Sequence, residues 1–467
     1  MLSVGPYHHG ASTLQAMEKE KWSYLDFILK LNCGVRLFDY LTEIGKMAKH
    51  ARNCYSEDIK MDDEEFLQML LLDGCFILTV LGGAKELLEN FQQKLNKSAE
   101  HEVHGTPDME DKRADRIQTS SEGSNQNDNV TECAQYDDVF GQWFVSFAHH
   151  DLLLLENQIP FFVVKRIFEL VAGQCTVTPC TNEIAKAIET ALRWYPKSIQ
   201  ESCRPNDFCH LLHLCHLYFR PTVKQEENYH DQVAPQYINR FLSFGLKYLR
   251  IRQQHDDNER DISDSNKVDF IQGGQYLNRW RRAEQYLEAG VNFKKRKYDK
   301  VNPHSLLDIQ FINSLMEIPC LAIDEFTGTL FRNLIAFEQT CPQFGDDFTA
   351  YIVFLSQLLS MPEDVTLLAQ REIIVHHLDS DDNVSDLFTM LSKDVVFDFN
   401  GNYYLKSLCQ TMEAHYQNRI NRWMAWLWLN HFRNPWLALA AFATVIVLVC
   451  TVVQTVYGIL AYIDPPQ

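Results

Sequence analysis

Histidine and cysteine side chains gather over one short stretch of the chain with a spacing suited to metal binding. The stretch reads Cys209-His210-Leu-Leu-His213-Leu-Cys215-His216. On a helix His210 and His213 share a face and Cys209 lies one turn from His213, a spacing that can hold zinc. The alternative is an apolar helix whose polar groups are satisfied locally, and the lack of a second ligand cluster favours it. We therefore predict no metal and keep Cys209, His210, His213 and His216 as weak candidates.

An acidic run, Asp379-Ser-Asp381-Asp-Asn383, begins like a calcium-binding loop. Val384 and Met390, however, stand where such a loop needs a glycine and a bidentate glutamate. Carboxylates also favour the positive end of a helix dipole. The run is therefore better explained as the acidic N-terminus of a helix.

Three histidine doublets, His8-His9, His149-His150 and His376-His377, are the remaining groups that could support catalysis. The sequence places no serine, cysteine or aspartate partner beside them, so a catalytic triad has no geometric support. It also lacks a glycine-rich phosphate loop, a G-x-S-x-G elbow and an H-E-x-x-H motif. We predict no catalytic residues and no cofactor, and an enzyme with an unrecognised histidine site stays the alternative.

Charge is distributed unevenly along the chain. Its 62 acidic residues exceed its 43 basic ones, for a net charge of −19, which argues against nucleic acid as a partner. Two basic runs, 279–282 and 294–297, stand out against this background. A solvated surface explains both runs, and contact with an anionic membrane leaflet is the alternative.

The C-terminal stretch from Trp436 to Ile463 carries no charged residue. A membrane span needs only about 20 apolar residues, and a buried core helix is rarely apolar on every face for longer than that. Trp436 at one end and Tyr457 and Tyr462 near the other are typical of interfacial aromatic belts. Gln454 is the one strongly polar side chain inside the stretch. We predict a transmembrane helix over 435–463, inserted in the lipid bilayer, with a short tail at 464–467.

The residues around this helix predict its orientation. Arg419, Arg422 and Arg433 precede it and only Asp464 follows it, which by the positive-inside rule places the N-terminal body in the cytosol. The first residues lack the features of a signal peptide, and the 13 cysteines are unpatterned, as in a reducing compartment. We expect a single-pass protein of the plasma membrane. Three glycosylation triplets point to the opposite side: Asn96-Lys-Ser98, Asn129-Val-Thr131 and Asn383-Val-Ser385.

Helical patterns dominate the body that would position these residues. Helices are expected over 65–80, 140–157, 161–171 with Pro160 at its start, 210–219, 275–289, 347–359, 361–378 with a capping box at Ser360–Glu363, 383–391 and 403–432. Alternating apolar residues predict short strands at 291–294, 307–311 and 320–324. The fold class is mainly α: a multi-helix globular body with a small central β element and one C-terminal transmembrane helix.

Composition also divides the body into parts. Residues 98–138 are rich in acidic and small polar residues and predict a disordered insertion, as does the charged stretch 253–266. The insertion separates an N-terminal helical part, 1–97, from the remainder of the helical domain, 139–434.

Several sequence blocks together resemble one plant family. Gly5-Pro6-Tyr7-His8-His9-Gly10, followed by Met17-Glu18-x-x-Lys21-x-x-Tyr24-Leu25, resembles the opening signature of the plant domain-of-unknown-function family 247. The later blocks similar to that family are 66–78, 151–162 with Glu156, Asn157, Gln158 and Pro160, 289–293, 318–324, 330–339, and 430–436 before the apolar helix. The family usually carries a short segment with an arginine-valine-proline motif before the first block, whereas this chain starts almost on it.

The resemblance implies a plant membrane protein without assigned enzymatic residues. Some grass members are similar to proteins of self-incompatibility loci, where they are thought to act as pollen-side recognition determinants. The polar block Glu156-Asn157-Gln158 lies between apolar runs, so we expect it to cap and hydrogen-bond within the fold. Our leading hypothesis is a membrane-anchored protein that acts by recognition or signalling through an unidentified protein partner. A structural membrane tether is a further alternative.

Overall fold

A computed structural model describes residues 2–85, 87, 89, 147–173, 178–222, 280–299, 301–417 and 435–463. Within the last range, side chains are described at 439 and 442–456. The predicted disordered stretches 98–138 and 253–266, the sequon residues Asn96 and Asn129, and the side chains of Trp436, Tyr457 and Tyr462 lie outside these residues.

Helices make up most of the described chain, which confirms a mainly helical body with small sheets. The N-terminal helices are α1 (Gln15–Leu31), α2 (Leu37–Arg52), α3 (Asp63–Val80), α4 (Phe161–Ala172), α5 (Cys180–Ala191) and α6 (Leu211–Phe219). The later ones are α7 (Ala283–Glu288), α8 (Thr327–Thr340), α9 (Asp347–Leu358), α10 (Pro362–Gln370), α11 (Asp381–Ser392), α12 (Lys406–Gln417) and α13 (Pro435–Ile463).

Helix α3 lies at the centre of the N-terminal part. Its apolar run is buried on every face, as its sequence predicts, because α1, α2 and α4 all contact it. Asp62 begins the helix as a cap, since its carboxylate accepts the backbone N–H of Glu65 at 2.8 Å. Gly74 allows α4 to approach closely, because a Cβ there would lie 2.4 Å from Cδ1 of Ile167. The centre of this part is therefore packed tightly enough to fix the groups around it.

Two small sheets lie in the C-terminal part. The strands are β1 (Asn292–Arg296), β2 (Gln310–Ile312), β3 (Leu315–Pro319), β4 (Leu321–Ile323) and β5 (Ile374–His376). The first sheet has the order β1-β3-β2, with β1 parallel to β3 and β2 antiparallel to it, and β4 pairs with β5 in parallel. Asn313 and Ser314 both have positive φ and form the two-residue hairpin between β2 and β3. The predicted strands at 291–294 and 320–324 are confirmed, and the one at 307–311 begins only at Gln310.

Some predicted boundaries are wrong. The helix expected to reach residue 378 ends at Gln370, because the chain then forms β5 beside β4. Its cap lies one residue later than expected: the carboxylate of Asp364 accepts the N–H of Met361 at 3.2 Å. The expected helix 161–171, by contrast, is confirmed as Phe161–Ala172, with Pro160 as its N-cap residue.

Two further predictions are tested only in part. Residues 140–146 of the expected helix 140–157 lie outside the described chain, and the rest is helical only over 147–151, before a 3₁₀ turn, Leu155–Asn157. Residues 275–279 of the expected helix 275–289 also lie outside it, and the described part is helical over Ala283–Glu288 but not over 280–282. By contrast, the acidic run begins α11 as expected, and the hydroxyl of Ser380 caps it by accepting the N–H of Asn383 at 3.3 Å.

The apolar C-terminal helix is present as α13, over 29 residues. Its side chains are described only at 439 and 442–456, and over the residues so described no single helix of the chain is both long and apolar enough to cross a membrane. Helices α9 and α10, bent by 104° at their junction, satisfy the length and composition requirement only as a pair, and Phe442–Val456 is a shorter apolar helix.

Candidate functional site

The segment 5–10 is fastened to the centre of the body through Gly5. Its backbone N–H donates to Oδ2 of Asp73 at 2.7 Å. Gly5 has φ +78°, a conformation that favours glycine, and a Cβ there would lie 2.9 Å from the carbonyl oxygen of Gln158. The first family block therefore lies between α3 and the residues that begin α4, and this position requires a glycine.

A buried lysine joins the same segment to α1 and α3. The Lys21 ammonium donates to Asp73 Oδ1 at 2.5 Å, to Glu18 Oε1 at 2.7 Å and to the carbonyl oxygen of Ser3 at 2.6 Å. The side chain of Lys21 is 0% exposed and that of Asp73 is 1% exposed. A buried ammonium is tolerated only with such partners, and all three of its protons have one.

Burial acts on the two charged groups in opposite ways. It lowers the pKa of Lys21, but the carboxylates of Asp73 and Glu18 more than offset this, so the lysine pKa is raised. Burial raises the pKa of the Asp73 carboxyl, and Lys21 together with the Gly5 N–H only partly opposes that rise. We call the group Ser3, Gly5, Glu18, Lys21 and Asp73 the charged junction.

The amide of Asn157 connects the N-terminus to the second family block. Its Nδ2 donates to the carbonyl oxygens of Leu2 and Asp151, both at 3.0 Å, and its Oδ1 accepts the N–H of Val4 at 3.4 Å. The Asp151 carboxylate accepts the N–H of Leu2 at 2.6 Å. The side chains of Asn157 and Asp151 thus satisfy backbone groups of Leu2 and Val4, which lie about 150 residues earlier in the sequence.

Gln158 does the same for the turn that precedes α4. Its Nε2 donates to the carbonyl oxygens of Leu152 at 2.8 Å and Leu154 at 2.6 Å, and its Oε1 accepts the N–H of Leu212 at 3.0 Å. The expectation that the block 156–158 hydrogen-bonds within the fold is confirmed for Asn157 and Gln158.

The outer side of the first block faces solvent. The His8 ring pairs with the Glu156 carboxylate at 2.7 Å, where the His8 side chain is 33% exposed and that of Glu156 is 66% exposed. Tyr7 packs edge-on against Tyr55, whose hydroxyl donates to the Gln158 carbonyl at 3.2 Å. The structure therefore brings two predicted motif blocks together, with their backbone groups buried and His8 and Glu156 at the surface.

The other motif residues have local roles. His9 lies 3.8 Å from Glu18 and 3.7 Å from Glu65. Gly10 has φ +76° in an open turn, with no atom within 4 Å of where a Cβ would be. Pro6 continues the chain between Gly5 and Tyr7. Pro160 precedes α4, whose first N–H, on Phe161, donates to the carbonyl oxygen of Cys209 at 2.7 Å.

Among the candidate metal residues at the start of α6, two histidine rings accept hydrogen bonds from backbone N–H groups, and a third pairs with a glutamate. His213 Nδ1 accepts the N–H of Cys209 at 3.1 Å, and His210 Nδ1 accepts the N–H of His213 at 3.2 Å. The His216 ring meets Glu338 Oε1 at 2.7 Å in the core, and Glu338 in turn accepts the first N–H groups of α9. Among the described residues, no group of three or more ligating side chains could hold a metal ion.

Burial keeps two of these rings neutral. It lowers the pKa of His210 to about 3, with smaller effects from His213 and His216. Burial lowers the pKa of His213 to about 4, and the neighbouring His216 and Arg220 add to this. A neutral imidazole has the free lone pair that each backbone N–H here requires.

In each of the other two doublets, one histidine ring contacts another side chain. His376 Nε2 lies 2.8 Å from Asp381 Oδ1 in α11. His150 stacks on the ring of Phe326, with centroids 4.0 Å apart. Of the predicted anchor residues, Gln454 is described, and its side chain is exposed on α13.

Lys21 and Asp73, the two residues that join the blocks, lie in segments that resemble the family, but they are not among the predicted site residues. Asp73 carries a usable signal, because it is an aspartate within a helix that is otherwise apolar on all faces. A charge in such a place needs a buried partner, and lysine or arginine is the expected type. The sequence around Asp73 does not show, however, that this partner is Lys21 on α1.

The chain matches, over residues 1–450, the family DUF247, described as a plant protein of unknown function. It is similar to UPF0481 protein At3g47200 of Arabidopsis thaliana, with 26% identity over 475 residues that cover 99% of this chain and 83% of that protein. It is also similar to Putative UPF0481 protein At3g02645 of the same plant, with 20% identity over 510 residues, 97% of this chain and 85% of that protein. No solved structure matches the chain. Together with the joined motif blocks, the match over most of its length places this chain in the plant family DUF247.

Proposed function

We propose that this chain is a membrane-tethered binding protein, in which α13 inserts into a bilayer and the body recognises a protein partner without catalysing a reaction. One observation carries the tether: every described side chain from Phe442 to Val456 is exposed, and none of them is charged. Exposing that much apolar surface to water costs on the order of 1 kcal/mol for each large side chain. Insertion of these side chains into the hydrocarbon core of a bilayer would remove this cost.

The few polar groups in this helix suit such a surrounding. The hydroxyl of Thr451 donates to the carbonyl oxygen of Val447 at 2.8 Å, and that of Thr455 donates to Thr451 at 2.7 Å. Hydroxyls that bond back to their own helix lower the cost of burial in lipid. Gln454 is the remaining polar side chain described there, and its amide is suited to a hydrogen bond with a neighbouring helix.

Exposed aromatic residues support the proposed recognition role of the body. Phe38, at the start of α2, is 71% exposed and follows a partly exposed Leu37. Large aromatic side chains often anchor protein–protein interfaces. By contrast, several groups suited to catalysis, including Lys21, Asp73 and His213, serve the internal bonding of the fold. The pollen-side self-incompatibility role that the resemblance implies stays a prediction.

Membrane insertion can be tested by changing α13 alone. In cells that express the tagged chain, we expect it in the membrane fraction after alkaline carbonate extraction. The variant Val445→Arg/Val449→Arg should move to the soluble fraction, because each arginine in mid-membrane costs about 2.5–3.5 kcal/mol. The matched control, Val445→Leu/Val449→Leu, should stay in the membrane. Wild-type protein extracted by carbonate would refute the tether.

Orientation and partner binding need separate measurements. Protease protection of the N-terminal tag should show a cytosolic body, and a glycosidase-sensitive shift at Asn96, Asn129 or Asn383 would place the body on the other side.

For recognition, Phe38→Ala should weaken capture of a detergent-stable partner by roughly tenfold or more, as expected for an anchor residue. The control Met390→Ala, also an exposed apolar side chain, should leave capture unchanged. Equal loss in both variants would count against an interface at Phe38.

A further inference from the structure

A surface pocket with a volume of about 360 Å³ lies mainly between two chain segments that are about 100 residues apart, with Cys320 also in its lining. One segment is the turn after α5, and the other is the end of β1 with the loop that follows it. Pockets of roughly 300–1,000 Å³ are typical of small-molecule sites. The lining residues are Arg193, Trp194, Tyr195, Pro196, Lys197, Lys295, Arg296, Tyr298, His304 and Cys320.

The charge of this lining is opposite to that of the whole chain. Four lining residues are lysine or arginine and none is acidic, although acidic residues outnumber basic ones by 62 to 43 in the chain. Lys295 has a carboxylate within reach, that of Glu372 at 3.7 Å, but Glu372 is 78% exposed. For Arg193, Lys197 and Arg296, the described part of the chain offers no carboxylate within 4.0 Å. The Glu189 carboxylate beyond that distance still raises the pKa of Lys197, although burial lowers it more. Four cations with so few carboxylates nearby repel one another, and a bound anion relieves that repulsion.

Several of these groups are held in place before any ligand arrives. Arg296 Nη1 donates to the carbonyl oxygen of Asp308 at 2.6 Å, and the Lys197 ammonium donates to the carbonyl oxygen of Glu189. The hydroxyl of Tyr298 donates to the carbonyl oxygen of Lys197 at 3.3 Å and so joins the two segments. A site whose cations are already fixed loses less entropy on binding.

Aromatic rings form the rest of the pocket wall. Trp194 is 63% exposed, and the Arg193 guanidinium lies over its ring, 5.0 Å from the centroid. Tyr298 is 52% exposed and packs near the buried ring of His304, with centroids 5.5 Å apart. Burial, with a contribution from Arg296, lowers the pKa of His304. Uncovered aromatic faces beside cations suit a ligand that has both an anionic and a flat or ring-shaped part.

We propose that this pocket binds a small organic phosphate, whose phosphate group lies against Arg193, Lys295 and Arg296. Its ring lies against Trp194 and Tyr298. Guanidinium groups match phosphate oxygens in a two-point geometry, and the ammonium adds a point charge. The phosphate ester belongs either to a soluble compound or to a lipid headgroup. This binding goes beyond the proposed recognition role and does not depend on the tether.

Calorimetry on the full chain in detergent micelles tests the proposal and separates the two sources. The probes are adenosine triphosphate, inositol trisphosphate, and mixed micelles with or without phosphatidylinositol bisphosphate. Binding of adenosine triphosphate would identify a soluble ligand. Binding only of inositol trisphosphate and of mixed micelles that contain the phosphorylated lipid would identify a headgroup, and either result supports the site. Failure of all probes at millimolar concentration overturns it, whatever the outcome of the membrane-fraction experiment.

A matched pair of variants shows whether binding occurs in this pocket. Arg193→Gln/Lys295→Gln removes two lining cations, and we expect affinity to fall roughly a hundredfold, about tenfold for each charge-assisted contact. Lys294→Gln/Lys297→Gln removes the same charge from neighbouring exposed positions outside the lining and should leave affinity within about twofold. Equal loss in both variants would indicate diffuse surface attraction and overturn the proposal, as would unchanged binding in the first. Thermal unfolding of each variant confirms that it is folded.

Discussion

The charged junction and the basic pocket use cationic side chains in opposite ways. In the junction, the Lys21 ammonium has three acceptors within 2.7 Å, two of them carboxylates. In the pocket, four cations converge at the surface, and the one ion pair that the structure describes among them is the 3.7 Å contact of Lys295. The comparison suggests that a cation with a full set of partners belongs to the fold, whereas a group of cations without them is available to a ligand.

The physical reason is the cost of removing a charge from water. Lys21 loses its hydration entirely, so the fold must supply every partner, and these partners tie residues 3–5 to α1 and α3. The pocket cations keep part of their hydration, so the fold need not neutralise them. Substitutions should therefore affect stability strongly in the junction and weakly in the pocket.

The largest effect is expected for Asp73→Asn in the charged junction. The change keeps the shape of the side chain but removes the negative charge beside Lys21, which stays buried. Removing one partner of a buried pair typically costs about 3–5 kcal/mol of unfolding free energy. Chemical denaturation of the full chain in detergent, followed by far-ultraviolet circular dichroism, measures this loss.

An exposed pair of the same chemistry is the control. Asp26 and Lys30 lie 2.8 Å apart on α1, and both are more than half exposed. Asp26→Asn should cost less than about 1 kcal/mol, because water replaces the lost partner. If Asp73→Asn were as mild as this control, the charged junction would not hold the N-terminal segment.

The second prediction concerns the backbone at Gly5, whose N–H donates to Asp73 in the charged junction. Gly5→Ala should destabilise the chain by about 2–3 kcal/mol, because a Cβ meets the Gln158 carbonyl oxygen at 2.9 Å in addition to the positive φ. Gly10→Ala has a nearly equal φ, +76°, but open space around the Cβ. It should cost only about 1 kcal/mol. Equal losses in the two variants would mean that the close approach at Gln158 has no energetic role.

Local sequence predicts many of the helices, and for a clear reason. Helix α3 is a long apolar run with an acidic start, and α9 and α11 likewise have strong periodicity or an acidic first turn. Pairings between distant segments are what sequence does not show. Strand β5 interrupts an expected helix because it can pair with β4, which lies about 50 residues earlier.

The candidate site divides in the same way. The motif blocks 5–10 and 156–158 are visible in sequence, and their contact is not, because Gly5 and Gln158 are 153 residues apart. Similarly, the sequence shows the charge of the basic run 294–297 and favours a solvated surface for it. Only the fold brings Lys295 and Arg296 beside Arg193 and Trp194. Residue type is a local property, whereas convergence of residues depends on topology.

The third prediction is a pH dependence that arises from the buried ring of His213. Burial lowers its pKa to about 4 in the folded chain, against about 6.5 when unfolded. As pH falls, the unfolded state therefore takes up the proton first, and stability is lost between about pH 6.5 and pH 4. At pH 5 this amounts to about 2 kcal/mol relative to pH 7.

His213→Asn removes this titration and keeps an acceptor for the Cys209 N–H. The variant should be less stable at pH 7, because the packing of the ring against Phe337 and Phe344 is lost. Its stability should then fall less steeply than that of the wild type between pH 6.5 and pH 5, and run parallel to it from pH 7 to pH 9. Parallel curves over the acidic range as well would show that His213 titrates normally in the fold.

The smallest effect is expected in the basic pocket, and it tests the other half of the comparison. Arg193→Gln/Lys295→Gln should change the unfolding free energy by no more than about 0.5 kcal/mol without ligand, because exposed cations contribute little to stability. Relief of repulsion among the remaining cations offsets the lost contacts with Trp194 and Glu372. Denaturation measured beside Asp73→Asn gives the contrast directly. A loss of several kcal/mol from the pocket variant would mean that its cations are structural, like Lys21, and would remove the distinction between the two regions.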